Sequence, residues 1–350
     1  MLFRAIAGEA ELLSNIASAD TGMTTLNAQN WDRNPAVTSI ACILGSVVSF
    51  SLGDMTMKHI SQTTVPLHQA VALRSAIALI LTLLLFRGGK SLLAAFRTER
   101  PVQHLLRGLA VSVSNITYFA ALAALPMADT AAIFFIAPML LTAFSAIFIG
   151  DHVGPFRWAA LVVGFGGVLL IIRPGSPDFE WVYILPALSA AAYAVMQTIT
   201  RGMGLRESTL SMALYAQVGF LAGSLALGAA LGDGRFAGSG GPAADFLLRP
   251  WVLPTSRELT LIVFTGVTIT IGGYLVSQAY RLSSASVVAP FEYTSLALAV
   301  TWGVLIWGDV PDALASIGIA LILLSGLTIA LREARAGRKK LSAQRMVIRR

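Results

Sequence analysis

A few ionisable side chains interrupt the long apolar stretches of this sequence, and each is a candidate for chemistry. Asp54 and Lys58 are four residues apart, so on a helix they share a face and can form an ion pair. Arg74 lies within the next apolar stretch, and Glu292 follows Pro290 by two residues. Because charged groups are costly in apolar surroundings and are usually functional there, we expect Asp54, Arg74 and Glu292 to bind a ligand, gate a path or carry a proton.

Each of these groups also has a structural explanation. For Lys58 we favour an interfacial ion pair whose stem extends toward water, whereas for Arg74 the functional and structural explanations have equal weight. Glu292 could instead be a neutral acid that is hydrogen-bonded to a neighbouring helix. Asp129 stands where an apolar stretch begins, and an acid stabilises a helix N-terminus, so we interpret it as a capping residue.

Polar and aromatic residues within the apolar stretches form a second set of candidates. Aromatic walls with a few amides suit a flat or amphipathic solute. Any single member is explained by helix packing, but we expect several of them together to line a binding cavity. Pro138 and Pro290 are candidate hinges, because proline removes a backbone donor from a helix. The set is Asn115, Tyr118, Phe134, Tyr193, Gln197, Tyr274, Gln278, Tyr293 and Trp302.

Common catalytic motifs are missing from the sequence. It contains neither His-Glu-x-x-His nor Gly-x-Ser-x-Gly, and no phosphate-binding Walker A loop. The glycines of residues 164–167 lie inside an apolar stretch, where small residues allow close helix packing. We therefore predict no catalytic residues, no metal and no cofactor, and an intramembrane enzyme resembling an acyltransferase or a protease is the alternative.

Composition indicates an integral membrane protein. Hydrophobic residues make up 56% of the chain and charged residues only 12%, against about 25% charged in soluble domains. A membrane-spanning helix needs about 20 apolar residues, and lipid tolerates only helices or closed barrels. We predict an all-α fold with ten transmembrane helices, near 37–57, 67–86, 105–125, 128–149, 154–172, 181–200, 209–231, 259–280, 286–307 and 313–331.

The basic residues predict the orientation. Eight of them lie between Arg332 and Arg350, and most of the rest fall in the loops that share a side with the termini if there are ten spans. The positive-inside rule then places both termini in the cytoplasm. We expect a multi-pass protein of the inner membrane, with residues 332–350 as a basic cytoplasmic tail that faces lipid rather than nucleic acid. Residues 1–35 are expected to be a disordered extension, or to include an over-long start before Met23.

An internal repeat divides the ten predicted spans into two sets of five. Setting each residue beside the one 158 positions later pairs Gly108 with Gly266 and the dipeptide 150–151 with the dipeptide 308–309, both Gly-Asp. Earlier in the chain the better offset is 143. Because five is odd, the second copy must enter the membrane from the opposite side. The sequence therefore predicts inverted repeats at 36–173 and 179–331, an arrangement that suits a carrier.

The chain resembles the drug/metabolite transporter superfamily, specifically carriers with two EamA-type repeats. The resemblance rests on Arg74 and on these runs: residues 118–122 through Ala131-Ala132 to Pro138, Gly150-Asp151, residues 289–294, and residues 307–311. It covers residues 37–331, and Gly-Asp replaces the more usual Gly-Glu. It implies a ten-helix secondary transporter, proton-linked or ungated, which works by alternating access around a central cavity. The small-molecule solute stays open among amino acids, drugs, riboflavin and S-adenosylmethionine, as do direction, coupling ion and oligomeric state.

Overall fold

The computed structural model describes residues 35–85, 98–150, 154–177, 179–203, 209–238, 240–283 and 285–348. Within these ranges the chain is helical and contains no strand. The expected amino-terminal extension lies outside them. The first six helices are α1 Pro35–Ser61, α2 Leu67–Leu85, α3 Pro101–Ala124, α4 Met127–Phe134, α5 Ala137–Phe144 and α6 Pro155–Ile172. The remaining helices are α7 Ile184–Met203, α8 Thr209–Leu231, α9 Pro242–Leu248, α10 Ser256–Leu282, α11 Ala285–Glu292, α12 Thr294–Trp302 and α13 Ala313–Ile348.

Local sequence explains several helix starts. Pro101 and Pro155 each open a helix in its first turn, where the missing N–H has no intrahelical acceptor to lose. At α10, the Thr255 side chain accepts from the backbone of Glu258, and the Glu258 carboxylate accepts from the backbone of Thr255. This capping box satisfies backbone donors that the first turn leaves free.

Nine stretches of the described residues are long and apolar enough to cross a membrane. They confirm the membrane-spanning helical class that the composition predicts. The tenth predicted span corresponds to the shorter apolar stretch Ala313–Ile329 of α13. The nine are Val37–Ser61, Leu67–Leu84, Pro101–Ala124, Met127–Phe148, Pro155–Ile172, Trp181–Met203, Ser211–Leu231, Ser256–Leu282 and Val287–Trp307.

Two of the spans are broken at their middle and end in the same way. The α4 helix stops before residues 135–136, and α5 then continues into a π-helix, Ser145–Ile149. The α11 helix stops before Tyr293, and α12 continues into a second π-helix, Gly303–Trp307. Left-handed glycines follow both π-helices, Gly150 with φ 81° and Gly308 with φ 72°. Glycine is required there because a Cβ would strain this conformation.

Prolines accompany both breaks. Pro138 occupies the first turn of α5, immediately after the break at residues 135–136, where its missing donor and fixed φ favour a new helix start. Pro290 lies inside α11, which ends two residues later. The two candidate hinges therefore lie beside interruptions of the backbone hydrogen-bond ladder.

Helix packing follows a reciprocal pattern. The α1 helix packs along α10, and α3 packs along α7; α2 packs on α8, and α6 packs on α13. The last pair meets through glycines, since a Cβ on Gly167 would lie 2.7 Å from the carbonyl oxygen of Gly318. Such close approach is typical of small-residue interfaces in membranes. The role in packing expected for this run is thereby confirmed for Gly164 and Gly167, whereas a Cβ on Gly166 would meet nothing within 4 Å.

Candidate functional site

Asp54 and Tyr118 meet where α1 packs near α3. The Tyr118 hydroxyl donates to Asp54 Oδ2 at 3.1 Å, and both residues are half-buried. A carboxylate at membrane depth needs such donors because water cannot supply them. Asp54 is therefore a hydrogen-bond acceptor positioned by Tyr118, and the residue still has some exposed surface.

Arg74 of α2 lies behind this pair and is 3% exposed. One of its terminal nitrogens donates to Asn115 Oδ1 at 2.9 Å, and its guanidinium lies 4.5 Å from the centroid of the Phe119 ring. That geometry is a cation–π contact. Asp54 is the nearby acid, because it accepts from Tyr118, whose ring centroid lies 5.3 Å from that of Phe119, although Asp54 and Arg74 are not joined by a direct salt bridge. Asp54 and Arg74 thus lie on opposite sides of the Tyr118 and Phe119 rings without a direct bond, and their joint role stays a prediction.

A row of aromatic rings extends from Tyr118 across the protein. The Tyr118 and Phe134 ring centroids are 5.2 Å apart, and those of Phe134 and Tyr193 are 5.5 Å apart, both in edge-to-face geometry. Gln197 donates to the Tyr193 hydroxyl at 2.9 Å. The row thus begins near a carboxylate, on α1 and α3, crosses α4 and ends at an amide on α7. We call the group Asp54, Arg74, Asn115, Tyr118, Phe119, Phe134, Tyr193 and Gln197 the central cluster.

Glu292 ends α11, directly before the backbone break. Its Oε1 accepts from the hydroxyl of Tyr280 at 2.5 Å, and the residue is half-buried. Tyr193 of the central cluster lies within electrostatic range of this carboxylate. The chain therefore has a second membrane-embedded acid next to the aromatic row, held by a tyrosine as Asp54 is.

Four other predicted residues lie apart from the row. Tyr293 packs its ring against Phe135 with centroids 5.1 Å apart, and Trp302 Nε1 donates to the Ser51 hydroxyl at 2.9 Å. Tyr274 and Gln278 are on α10. In the part of the chain that the structure describes, no hydrogen bond or ring contact joins either residue to the central cluster.

Lys58 pairs with a different acid from the one that helical spacing suggested. Its ammonium lies 3.1 Å from Asp309 Oδ2, donates to the carbonyl of Leu125 at 2.8 Å, and lies 5.1 Å from the Trp307 ring centroid. The residue is 6% exposed, so it is buried and is not the interfacial group that we expected. Tertiary packing brings Asp309 next to Lys58, whereas the Asp54 carboxylate accepts its hydrogen bond from Tyr118.

Further polar contacts lie near Lys58. Asp129 is in the first turn of α4, as expected for an acid at a helix N-terminus, but its side chain forms no capping hydrogen bond and its Oδ2 accepts from the Tyr183 hydroxyl at 3.5 Å instead. Arg173 donates to both carboxylate oxygens of Asp312. These two groups stabilise each other's charged form, because the hydrogen bond from Arg173 lowers the pKa of Asp312 and that to Asp312 raises the pKa of Arg173.

Sequence reasoning missed three of these partners: Phe119, Tyr280 and Asp309. Phe119 and Tyr280 follow predicted site residues by one or two positions, Tyr118 and Gln278, but such neighbours point in different directions on a helix, so the sequence carries no signal for them. Asp309 belongs to the duplicated Gly-Asp pair that marks the repeat. Its partner could not be found without the tertiary structure.

The comparisons with known proteins all point to transporters. The EamA-like transporter family matches residues 37–173. The chain is 32% identical over 249 residues to a riboflavin transporter of Rhizobium johnstonii, covering 71% of this chain and 76% of the relative. It is 29% identical to the pseudopaline exporter CntI of Pseudomonas aeruginosa, covering 80% and 92% of the two chains. An S-adenosylmethionine uptake transporter of Rickettsia felis is 24% identical, covering 88% and 97%.

A solved structure is similar in fold. A crystal structure superposes with a TM-score of 0.55 at 21% identity, covering 86% of this chain and 98% of the other. At that identity the likeness concerns the fold alone. It extends beyond the residues that the family match covers and includes most of the helical part of the chain.

Proposed function

The chain belongs to the EamA-like transporter family and is a small-metabolite transporter, and from this premise we propose that its solute binds at the central cluster. One observation carries the proposal: half-buried rings from α3, α4 and α7 form a row between the carboxylate of Asp54 and the amide of Gln197. Aromatic walls with a few fixed polar groups are typical of small-molecule sites. The names of the relatives favour this role over an intramembrane enzyme.

We further propose ten transmembrane helices in two inverted repeats, residues 36–173 and 179–331. Helices α4 and α11 begin at residues 127 and 285, and α6 and α13 at 155 and 313, so each pair is separated by 158 positions. Both broken spans end in a π-helix with a left-handed glycine. The reciprocal packing of α1 on α10 and of α3 on α7 is what a pseudo-two-fold axis would produce.

The tenth span in this proposal is the first part of α13. Its apolar stretch, Ala313–Ile329, corresponds to the lower end of the range of about 17–25 residues that can cross the hydrocarbon core. The remaining helix carries the basic tail, which supports cytoplasmic termini by the positive-inside rule. We place the protein in the inner membrane on that basis, with the lipid bilayer as its partner.

Transport would proceed by alternating access. In inverted repeats, exchanging the conformations of the two halves converts an inward-open state into an outward-open one. Pro138 and Pro290, beside the two helix breaks, are the hinges in this proposal. The Lys58–Asp309 pair joins the two proposed repeats at one end of the bundle and would have to separate during the cycle.

The proposed solute is flat and aromatic, and riboflavin is the first candidate. The relative with 32% identity is named for riboflavin, and a row of edge-to-face rings can form an aromatic wall against which a planar heterocycle packs. Pseudopaline and S-adenosylmethionine, named for the other relatives, and amino acids are the competing solutes.

A proton is the proposed coupling ion, and Glu292 is its proposed site. A carboxylate at membrane depth that is held by a tyrosine hydroxyl can gain or lose a proton as its surroundings change. Its position beside the break after α11 would link that event to helix motion.

Riboflavin flux in proteoliposomes tests the binding site. Phe134→Ala should remove the central ring of the row and reduce flux by at least about tenfold, by analogy with the loss of a buried binding anchor. Phe148→Ala is the matched control, because Phe148 lies on the same broken span but is 72% exposed. Equal flux in both variants would show that the row does not bind the solute.

A further inference from the structure

We propose that Arg74 is a specificity-determining residue, whose buried charge makes the central cluster select an uncharged planar heteroaromatic solute. The inference rests on the proposed function and concerns the portion of the solute that binds at Asp54. It is carried by the burial of Arg74, by its contacts and by the charges of the residues around it.

Arg74 is positioned as an internal counter-ion. It is 3% exposed, donates to Asn115 at 2.9 Å and lies against the Phe119 ring. A buried cation without a negative partner is strongly unfavourable at membrane depth. Asp54 is the acid connected to it through two rings, since Tyr118 donates to Asp54 and its ring centroid lies 5.3 Å from that of Phe119, which Arg74 contacts, so the pair is close to neutral as a unit.

The two members of the pair differ in access. Asp54 is half-buried and faces the aromatic row through Tyr118, whereas Arg74 is enclosed by Asn115 and Phe119. Asp54 therefore keeps part of its surface exposed, whereas Arg74 keeps almost none, and a solute at the cluster meets Asp54 first. An amino-acid head group needs both an acceptor for its ammonium and a donor for its carboxylate, and only the first is offered here.

The positive charge of Arg74 balances the negative charge of the Asp54 carboxylate without a direct bond. The carboxylate oxygens can still accept hydrogen bonds. A solute cation arriving there would gain little Coulomb energy, because its attraction to Asp54 is opposed by repulsion from Arg74. It would also lose its hydration. A neutral ring edge carrying N–H or O–H donors loses much less and still finds an acceptor.

At the two positions that correspond to Asp54 and Arg74, the other proposed repeat carries no charge. At the offset of 143, the counterpart of Asp54 is Gln197 and the counterpart of Arg74 is Gln217. Gln197 closes the other end of the aromatic row by donating to Tyr193. Between Asp54 and Gln197 the cluster offers an acceptor, a row of edge-to-face rings and an amide, which together fit a flat heterocycle with polar edges.

Binding of two tricyclic probes to the purified full-length protein tests this selection. Lumichrome is planar and neutral, whereas proflavine has a similar shape and is cationic at neutral pH. Affinities are measured by the shift in melting temperature as a function of probe concentration. The wild-type protein should bind lumichrome and should bind proflavine at least about tenfold more weakly.

Arg74→Gln copies the residue of the other repeat and leaves Asp54 as an unbalanced anion. It should change the proflavine-to-lumichrome affinity ratio in favour of the cation by at least about tenfold. Arg74→Lys keeps the charge and should keep the neutral preference. The double variant Asp54→Asn/Arg74→Gln removes both charges and should restore the preference for the neutral probe. It keeps the inference testable even if the single variant is poorly stable. Arg235→Gln, a surface substitution with the same charge change, is the control.

Three results would overturn the inference: tighter proflavine binding by the wild type, an unchanged affinity ratio in Arg74→Gln, or no binding of either probe. These outcomes are distinguishable from failure of the proposed function. If only the selectivity inference is wrong, the protein still transports its solute and Phe134→Ala still reduces that flux. If the proposed binding site is wrong, Phe134→Ala leaves the flux unchanged.

Discussion

The two broken spans, residues 127–149 and 285–307, have matching backbones but different side chains. Both contain two α-helical segments, then a π-helix and a left-handed glycine. At the end of the first segment, however, Phe134 stands in one and Glu292 in the other. The comparison teaches that duplicated helix geometry can carry different chemistry, aromatic in one span and ionisable in its counterpart. The predictions below test this difference and then the contacts that join the two proposed repeats.

Loss of the Glu292 charge should have the largest effect. We expect Glu292→Gln to reduce solute flux by at least about tenfold, because a proton or solute site would lose its ionisable group. Flux measured in proteoliposomes between about pH 5.5 and 8 should also lose its pH dependence. Expression and melting temperature should stay close to wild type, since glutamine can still accept from Tyr280. Wild-type flux in the variant across that range would contradict a functional difference between the two spans.

The next largest effect is expected for a substitution of Gly167, which should lower the stability of the protein. Gly167→Ala should destabilise the protein by about 1–3 kcal/mol, because overpacking would force α6 and α13 apart. Gly166→Ala is its neighbour and control. A Cβ there meets nothing within 4 Å, so a small gain in helix propensity is the only expected consequence. Melting curves in detergent that are identical for the two variants would show that this interface does not hold the repeats together.

The Lys58–Asp309 pair should show non-additive energetics. Lys58→Met leaves the Asp309 carboxylate and the Leu125 carbonyl without their shared donor, at a cost of about 1–3 kcal/mol. The double variant Lys58→Met/Asp309→Leu should be less destabilised than the two single losses added together, because replacing both charges avoids an isolated buried ion. A double-mutant cycle of melting free energies measures the coupling. Strict additivity would mean that the pair contributes no bond between the proposed repeats.

Asp312→Asn should give the smallest effect, since the Arg173–Asp312 pair is largely exposed and water screens it. The pKa of Asp312 is lowered in the folded protein, so its contribution is present above the unfolded-state pKa of about 4 and is lost as pH falls through the lowered value. Wild type and variant should therefore differ slightly near neutral pH and converge in strong acid. Melting temperatures that diverge on acidification would reverse the assigned sign.

Much of the candidate site was accessible to sequence reasoning, because ionisable and polar residues are rare enough in apolar spans to be recognised individually. Asp54, Arg74, Asn115, Tyr118 and Glu292 were all selected in that way. Their partners were harder to find. Lys58 was paired with Asp54 by helical spacing, yet Asp309, 251 positions away along the chain, is its partner.

By itself the sequence determined the membrane class and helical structure, since apolar length leaves few other options in lipid. It also identified Pro138 and Pro290 as candidate hinges, and both lie beside the two helix breaks. Only the tertiary structure decided which side chains meet, because a contact between α1 and the end of a distant π-helix depends on how whole helices pack. The enclosure of Arg74 and the partial exposure of Asp54 are of this kind, since burial is a property of the assembled bundle and not of any one segment.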